Sequence, residues 1–195
     1  MRKTILGLAV LLLLSPVVAF AQSTQSGPPP DIAFDIPKAD VDTLLKNAPP
    51  AVDQQLRVVD MGKYNLGIGI IHRGPTNDKP GEPIQGPYHD ETAETYIILS
   101  GSGVLTTGGP LVDKKPSENY NILNGPGGSA TAGKGAYSRR VQAGDIIIIP
   151  PGVLHAWSQI TDQVTYLSVR PDPDRVLPGG YVNPLLLKNA LPPAK

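Results

Sequence analysis

Along the chain the hydrophobic and polar positions change texture four times. Ile5 to Leu14 is an apolar run behind Arg2 and Lys3; Pro16 breaks it, and Ala19-Phe20-Ala21 follows. A positive start, a short apolar run and a small-x-small site make the pattern of a signal peptide, residues 1–21, with cleavage expected between Ala21 and Gln22. The run is too short to span a bilayer as a stable helix. Residues 22–37 begin polar and proline-rich (QSTQSGPPPD), which predicts a flexible linker of extended character. Residues 38–54 carry a short helical segment over KADVDTLLKN. Asp40 is a candidate N-cap, Leu44 and Leu45 offer an apolar contact, and Asn47 before Pro49-Pro50 marks the stop.

From Gln55 the period becomes two. "LRVVDMGKYNLGIGIIHRG" predicts strands over 55–60 and 64–72 around a Gly62-Lys63 turn, with Leu66, Ile68 and Ile70 alternating with Gly67, Gly69 and Ile71. "TYIILS" followed by "GSGVLTTGG" predicts a hairpin. "GDIIIIP" is a continuous apolar strand of the kind buried on both faces, and "VTYLSVRP" is the last clear strand. Between them, residues 109–139 are rich in Gly, Ser, Pro and Asn and predict a long loop excursion, a candidate lid. The tail, 173–195, is proline-punctuated and is expected to pack on the strands, with Leu185–Leu187 docking. There is no internal repeat, no heptad and no strand–helix alternation. Many short strands between Gly/Pro turns predict an all-β sandwich or barrel.

Composition narrows this picture. The 195 residues suit one domain, and 22 prolines with 21 glycines argue against long helices. Seventeen basic and 17 acidic residues argue against a nucleic-acid partner. Loss of Arg2 and Lys3 with the signal peptide leaves a mildly acidic chain that is not held at a membrane. The chain has no cysteine. An exported protein of this kind is held by its core alone, and any metal site must use His, carboxylate and water.

Two segments carry candidate chemistry. In "GDIIIIPPGVLHAW" a strand ends at Pro150, Gly152 permits a tight turn, and His155 opens the returning strand with Trp157 on the same face. In "GPYHDETAETYIILSG" a histidine, His89, precedes Glu94 by four intervening residues, and six more separate Glu94 from Gly101.

The spacing Gly144, Pro150, Gly152, His155 resembles the second motif of the cupin superfamily, with Gln159 where the family often has Asn. Gly81, His89, Glu94 and Gly101 resemble the first motif, with Pro87 in the place of its first histidine. The resemblance covers roughly residues 65–170. It implies a double-stranded β-helix, a small jelly-roll barrel, over 55–172. It further implies one divalent transition metal (Fe, Mn, Zn, Ni or Cu) inside the barrel on His89, Glu94 and His155. Two imidazoles and one carboxylate form a set that leaves coordination positions open. The place left by Pro87 has two candidate substitutes. Glu91, two residues after His89, shares its face if the strand continues, as a ligand or as a catalytic general base. His72 ends an earlier strand and is a further candidate ligand.

Tyr96 and Trp157 are candidate walls of a substrate pocket, and Arg139, Arg140 and Arg170 are candidate anion clamps. The expected function is an exported metal-binding cupin, periplasmic or secreted, acting on a small molecule in an oxygenase-type reaction. The alternative is a non-catalytic cupin that binds a sugar or an aromatic compound. The resemblance also implies a homodimer.

Overall fold

The computed structural model describes residues 31–47, 52–79, 81–117 and 124–186. The expected signal peptide and the first part of the linker lie outside the described residues. So do the last residues of the tail. None of the described helices is long and apolar enough to cross a membrane.

The helix α1 (Lys38–Asn47) starts two residues before Asp40. The amides of Asp40 and Val41 donate to the Pro37 carbonyl at 2.9 and 3.4 Å. Asp40 is therefore not the N-cap; it lies in the first turn, where a carboxylate suits the positive end of the helix dipole. Leu44 packs with Leu56, Ile70 and Leu186, so the helix and the tail cover the outer face of the first strands. The tail follows β1 (Val52–Asp60): Val58 N–H donates to Tyr181 O, and Asn183 Nδ2 donates to Gln55 O at 2.9 Å.

The rest is all-β and antiparallel, a double-stranded β-helix. β2 (Asn65–Arg73), β4 (Glu94–Thr107), β7 (Tyr137–Gln142), β8 (Ile146–Ile149), β9 (His155–Ser158) and β10 (Val164–Asp172) join β1 in a seven-stranded sheet, ordered β1-β2-β10-β4-β7, with β8 and β9 also paired to β4. β3 (Gln85–His89), β6 (Gly127–Ala132) and β5 (Leu111–Pro116) form a second sheet in that order.

β4 organises the barrel, and here the structure corrects an expectation. "ETYIILSGSGVLTT" is not a hairpin but one strand of 14 residues. Gly101 has φ 76°, and a Cβ there would lie 1.9 Å from the Gln163 carbonyl oxygen. The glycine bends the strand instead of reversing it. The β10 register slips by one residue at the same place, pairing Thr165 with Ser100 but Tyr166 with Ile98. The first half of β4 then pairs with β10 and β8, and the second half with β7 and β9. One strand thus serves both faces of the barrel. The inner face is closed by Ile71, Ile98, Leu105, Val141, Ile147, Ile149, Val164 and Tyr166.

Two further expectations fall. The described residues of 109–139 are not a structureless lid. They contain β5, β6 and the start of β7, and β6 pairs along the whole of β3. Their Gly- and Ser-rich composition suits close strand approach: a Cβ at Gly127 would lie 2.2 Å from the Tyr88 carbonyl oxygen. Nor is "IIII" buried on both faces. Ile147 and Ile149 are buried, whereas Ile146 and Ile148 are 65% and 74% exposed, because β8 has the core on one side only.

Candidate metal centre

The site is built where β3, β4 and β9 meet. β4 enters the barrel with Glu94 and Tyr96 facing inward, since alternate residues of a strand share a face. Its far end pairs Thr107 with His155, the first residue of β9. Gly152, with φ 75°, makes the turn before β9, and its N–H donates to the His89 carbonyl at 2.6 Å. That bond fixes the second motif's turn against the end of β3, so His89 and His155 face one another with ring centroids 5.1 Å apart.

Among the described residues, one group of three offers ligand atoms mutually within 4.8 Å: His89, Glu94 and His155. Glu94 Oε2 lies 3.1 Å from His155 Nε2 and 3.5 Å from His89 Nε2. Ligands about 2.0–2.2 Å from one ion, at tetrahedral or octahedral angles, stand roughly 2.8–3.6 Å apart. The separations to Glu94 Oε2 match that.

The hydrogen bonds also fit a cation. His155 Nδ1 lies 2.9 Å from the Val153 carbonyl, which can only accept, so Nδ1 carries the proton. In the neutral ring Nε2 is then a lone-pair acceptor. It is buried, has no hydrogen-bond partner, and points at a carboxylate oxygen. With the ring neutral, two acceptors face each other across 3.1 Å, a contact that a positive charge between them, a metal ion or a proton on Nε2, relieves. The Nδ1–carbonyl bond is the outer partner that metal-ligating histidines commonly have.

Glu94 is held in place on its other side. Oε1 accepts from Ser168 Oγ at 2.8 Å and Arg170 Nε at 2.8 Å, and Oε2 accepts from Tyr96 Oη at 3.0 Å. Arg170, 1% exposed, also donates to Gln55 Oε1 and Asp53 Oδ2. This explains Gly67 and Gly69 on the inner face of β2. A Cβ at Gly67 would lie 2.3 Å from Gln55 Nε2, and one at Gly69 would lie 3.0 Å from Arg170 Nη1. Burial pushes the Glu94 carboxyl up, but the Arg170 guanidinium beside it holds it well below the usual carboxylate range. Burial drives His89 down to about 4, against the pull of Glu94. Burial and then Glu94 push the Tyr96 phenol well above its ordinary value, so it stays a donor.

The other candidates lie elsewhere. His72 is not a ligand. Ile71 faces the barrel interior and Ile70 the helix side, so His72 shares the outer face, with Nδ1 2.8 Å from Thr165 Oγ1. Glu91 is not at the site either. β3 ends at His89, the chain bends through 90–91, and Glu91 is exposed. The alternation that would bring it round needs a strand that does not continue. Trp157 lines a cavity with His155 and Pro87, and its Nε1 donates to Tyr166 Oη at 3.1 Å. Tyr96 is packed between His155 and Tyr166 and lines neither cavity that touches the ligand group. Arg139 donates to Thr107 Oγ1, and the exposed Arg140 donates to Ser102 Oγ; neither lines those cavities. Arg170 is fully engaged inside the barrel, so none of the three is an anion clamp. Pro87 lines both cavities, one with His89 and one with His155. Sequence reasoning missed Asp53, Ser168 and Arg73. For Ser168 the signal was present: Tyr166, Ser168 and Arg170 put polar groups at alternate positions, with the apolar Leu167 and Val169 between them.

No protein-family model matches the chain, and no curated protein matches it. Among solved structures it is similar to a Bacillus halodurans protein at 14% identity, with TM-score 0.42, over 80% of this chain and 93% of that one. It is similar to a Klebsiella pneumoniae protein with a double-stranded β-helix domain at 17% identity, TM-score 0.37, over 72% and 93%. It is also similar to a cupin 2 conserved barrel domain protein of Salinispora arenicola at 17% identity, TM-score 0.36, over 64% and 77%. The architecture rests on its own strand pairing, and the barrel carries a His–Glu–His group that could hold a metal ion.

Proposed function

We propose that the mature protein is exported, periplasmic or secreted, holds one divalent transition metal on His89, Glu94 and His155, and acts on a small organic molecule in an oxygenase-type reaction. The observation that carries the metal reading is the buried, unpartnered Nε2 of His155 facing Glu94 Oε2. A bound ion would supply Lewis acidity and open coordination positions. The chain's own residues do the rest. Arg170 and Ser168 fix Glu94 with one oxygen turned to the histidines. Val153 fixes the His155 tautomer. Pro87 and Trp157 line the approach.

Elemental analysis of protein isolated from its native compartment is expected to give about one transition metal per chain, with a rise in melting temperature on loading. No metal and no rise would remove the reading.

One observation favours a non-catalytic binding module instead. Glu91 is exposed, and Glu94 is the only carboxylate of the ligand group, so the site has no spare general base among the described residues. His155→Ala separates the two. Unchanged metal content together with unchanged ligand affinity would leave only the binding module. A homodimer belongs to the same reading, and a light-scattering mass of one chain would exclude it.

A further inference from the structure

The cavity beside His155 has a volume near 340 Å³ and contains a charged group that the ligand set does not use, Arg73. Arg73 is the last residue of β2 and lies on its inner face, two positions beyond Ile71. Its Nε donates to Tyr166 Oη at 2.9 Å. Trp157 Nε1 donates to the same oxygen, and the indole stacks on the Tyr166 ring at 5.3 Å between centroids. The guanidinium plane is therefore held by one nitrogen. Among the described residues, its two terminal nitrogens have no hydrogen-bond partner, and no carboxylate lies within salt-bridge distance. Burial works against the charge, but Tyr166, Tyr96 and Asp53 outweigh it, and the guanidinium stays charged.

A charged arginine with a fixed plane and two free N–H groups matches the two oxygens of a carboxylate. The walls agree with a small organic acid: Trp157, Ile160 and Pro87 supply apolar surface, and His155 stands in the same cavity. Charge agrees as well. Inside the barrel the carboxylates of Asp53 and Glu94 balance Arg73 and Arg170, so a divalent cation would leave the interior positive and short of an anion.

We propose that this site takes small carboxylic acids, with Arg73 pairing with the carboxylate and the rest of the molecule lying along Trp157 towards His155. The assignment rests on reading this interior as a ligand site. It names the substrate class and the residue that selects it, and it holds for an enzyme or a binding module alike.

The test is calorimetric titration of the full mature chain, metal-free and metal-loaded, with succinate, benzoate and phenylacetate. Benzamide and phenylacetamide serve as neutral matches. The acids are expected to bind about 10- to 100-fold more tightly than the amides. Arg73→Met is expected to remove that preference, and Arg73→Lys to keep part of it, because an ammonium retains charge but not the two-pronged fit. Elemental analysis of both variants is expected to match the wild type, which separates loss of carboxylate recognition from loss of metal. If the chain holds no metal, the metal reading fails, while the acid-over-amide preference of the metal-free protein still decides on Arg73. No binding of any of the three acids, equal affinity for acids and amides, or an unchanged preference in Arg73→Met would each overturn the proposal. Should Arg73→Met fail to fold, the wild-type preference and Arg73→Lys decide.

Discussion

Two arginines reach the barrel interior from neighbouring strands, and they are used in opposite ways. Arg170, on β10 opposite Gly67, is 1% exposed and bonded to Glu94, Gln55 and Asp53. Arg73, at the other end of the same β2–β10 ladder, is bonded to one phenol and is otherwise free among the described residues. Tyr166, Tyr96 and Glu94 connect the two ends through a ring contact at 4.4 Å and a 3.0 Å hydrogen bond. The difference teaches that a buried charge does not announce its role. Where every donor is taken, the residue builds the site; where donors are left over beside a cavity, it can recognise something.

Arg170→Met is expected to give the largest effect. It strands the Glu94 and Asp53 carboxylates in a buried setting, and breaking such a pair costs about 3–5 kcal/mol. Urea unfolding should show that loss and elemental analysis a loss of metal. Arg73→Met should cost less than about 1 kcal/mol by the same measurement, since it breaks one hydrogen bond. Equal losses in the two variants would erase the distinction.

Next in size is Glu94→Gln. The amide keeps the shape but brings an N–H₂ that cannot ligate, so metal affinity should fall by roughly 10-fold or more, read by titration with a chelator as competitor.

The pH dependence of the metal-free protein sharpens the contrast from the side of the ligands. His89 is held neutral by burial, down to about 4 in the folded state. The unfolded chain takes up that proton near pH 6.5. Stability is therefore whole above about pH 6.5 and is lost as pH falls towards 4. Chemical unfolding between pH 7 and 4 should show this decline, and His89→Phe should flatten it.

The smallest effect is expected at Ile148→Thr. Ile148 is 74% exposed, and such substitutions shift unfolding by less than about 0.5 kcal/mol. A loss above about 1 kcal/mol, with a mass that falls with concentration, would show this outer face to be covered in a homodimer.

What the sequence revealed depended on how local each feature is. The ligand group His89, Glu94 and His155 was legible through resemblance, because two short motifs, each spanning a strand end and a turn, match a known family's spacing. The bend at Gly101 was not legible. A glycine between two β stretches permits a turn or a bend, and the choice is made by Gln163, 62 positions later in the chain, whose carbonyl occupies the space of a Cβ. Likewise β5 and β6 lack alternating apolar residues, and their order comes from pairing with β3 and with each other. Glu91 was misplaced because the alternation argument assumed a strand beyond His89. Arg73 and Arg170 look alike in sequence, since only the partners brought by other strands distinguish them.

Trp157 is the single tryptophan of the chain. Its indole donates to the phenol that also holds Arg73, and it lines the same cavity as His155. Under excitation selective for indole, the protein's fluorescence thus originates beside the site. A change in what lies beside His155 or on Arg73 alters the surroundings of the one indole, so the native, unlabelled chain is its own optical gauge of occupancy.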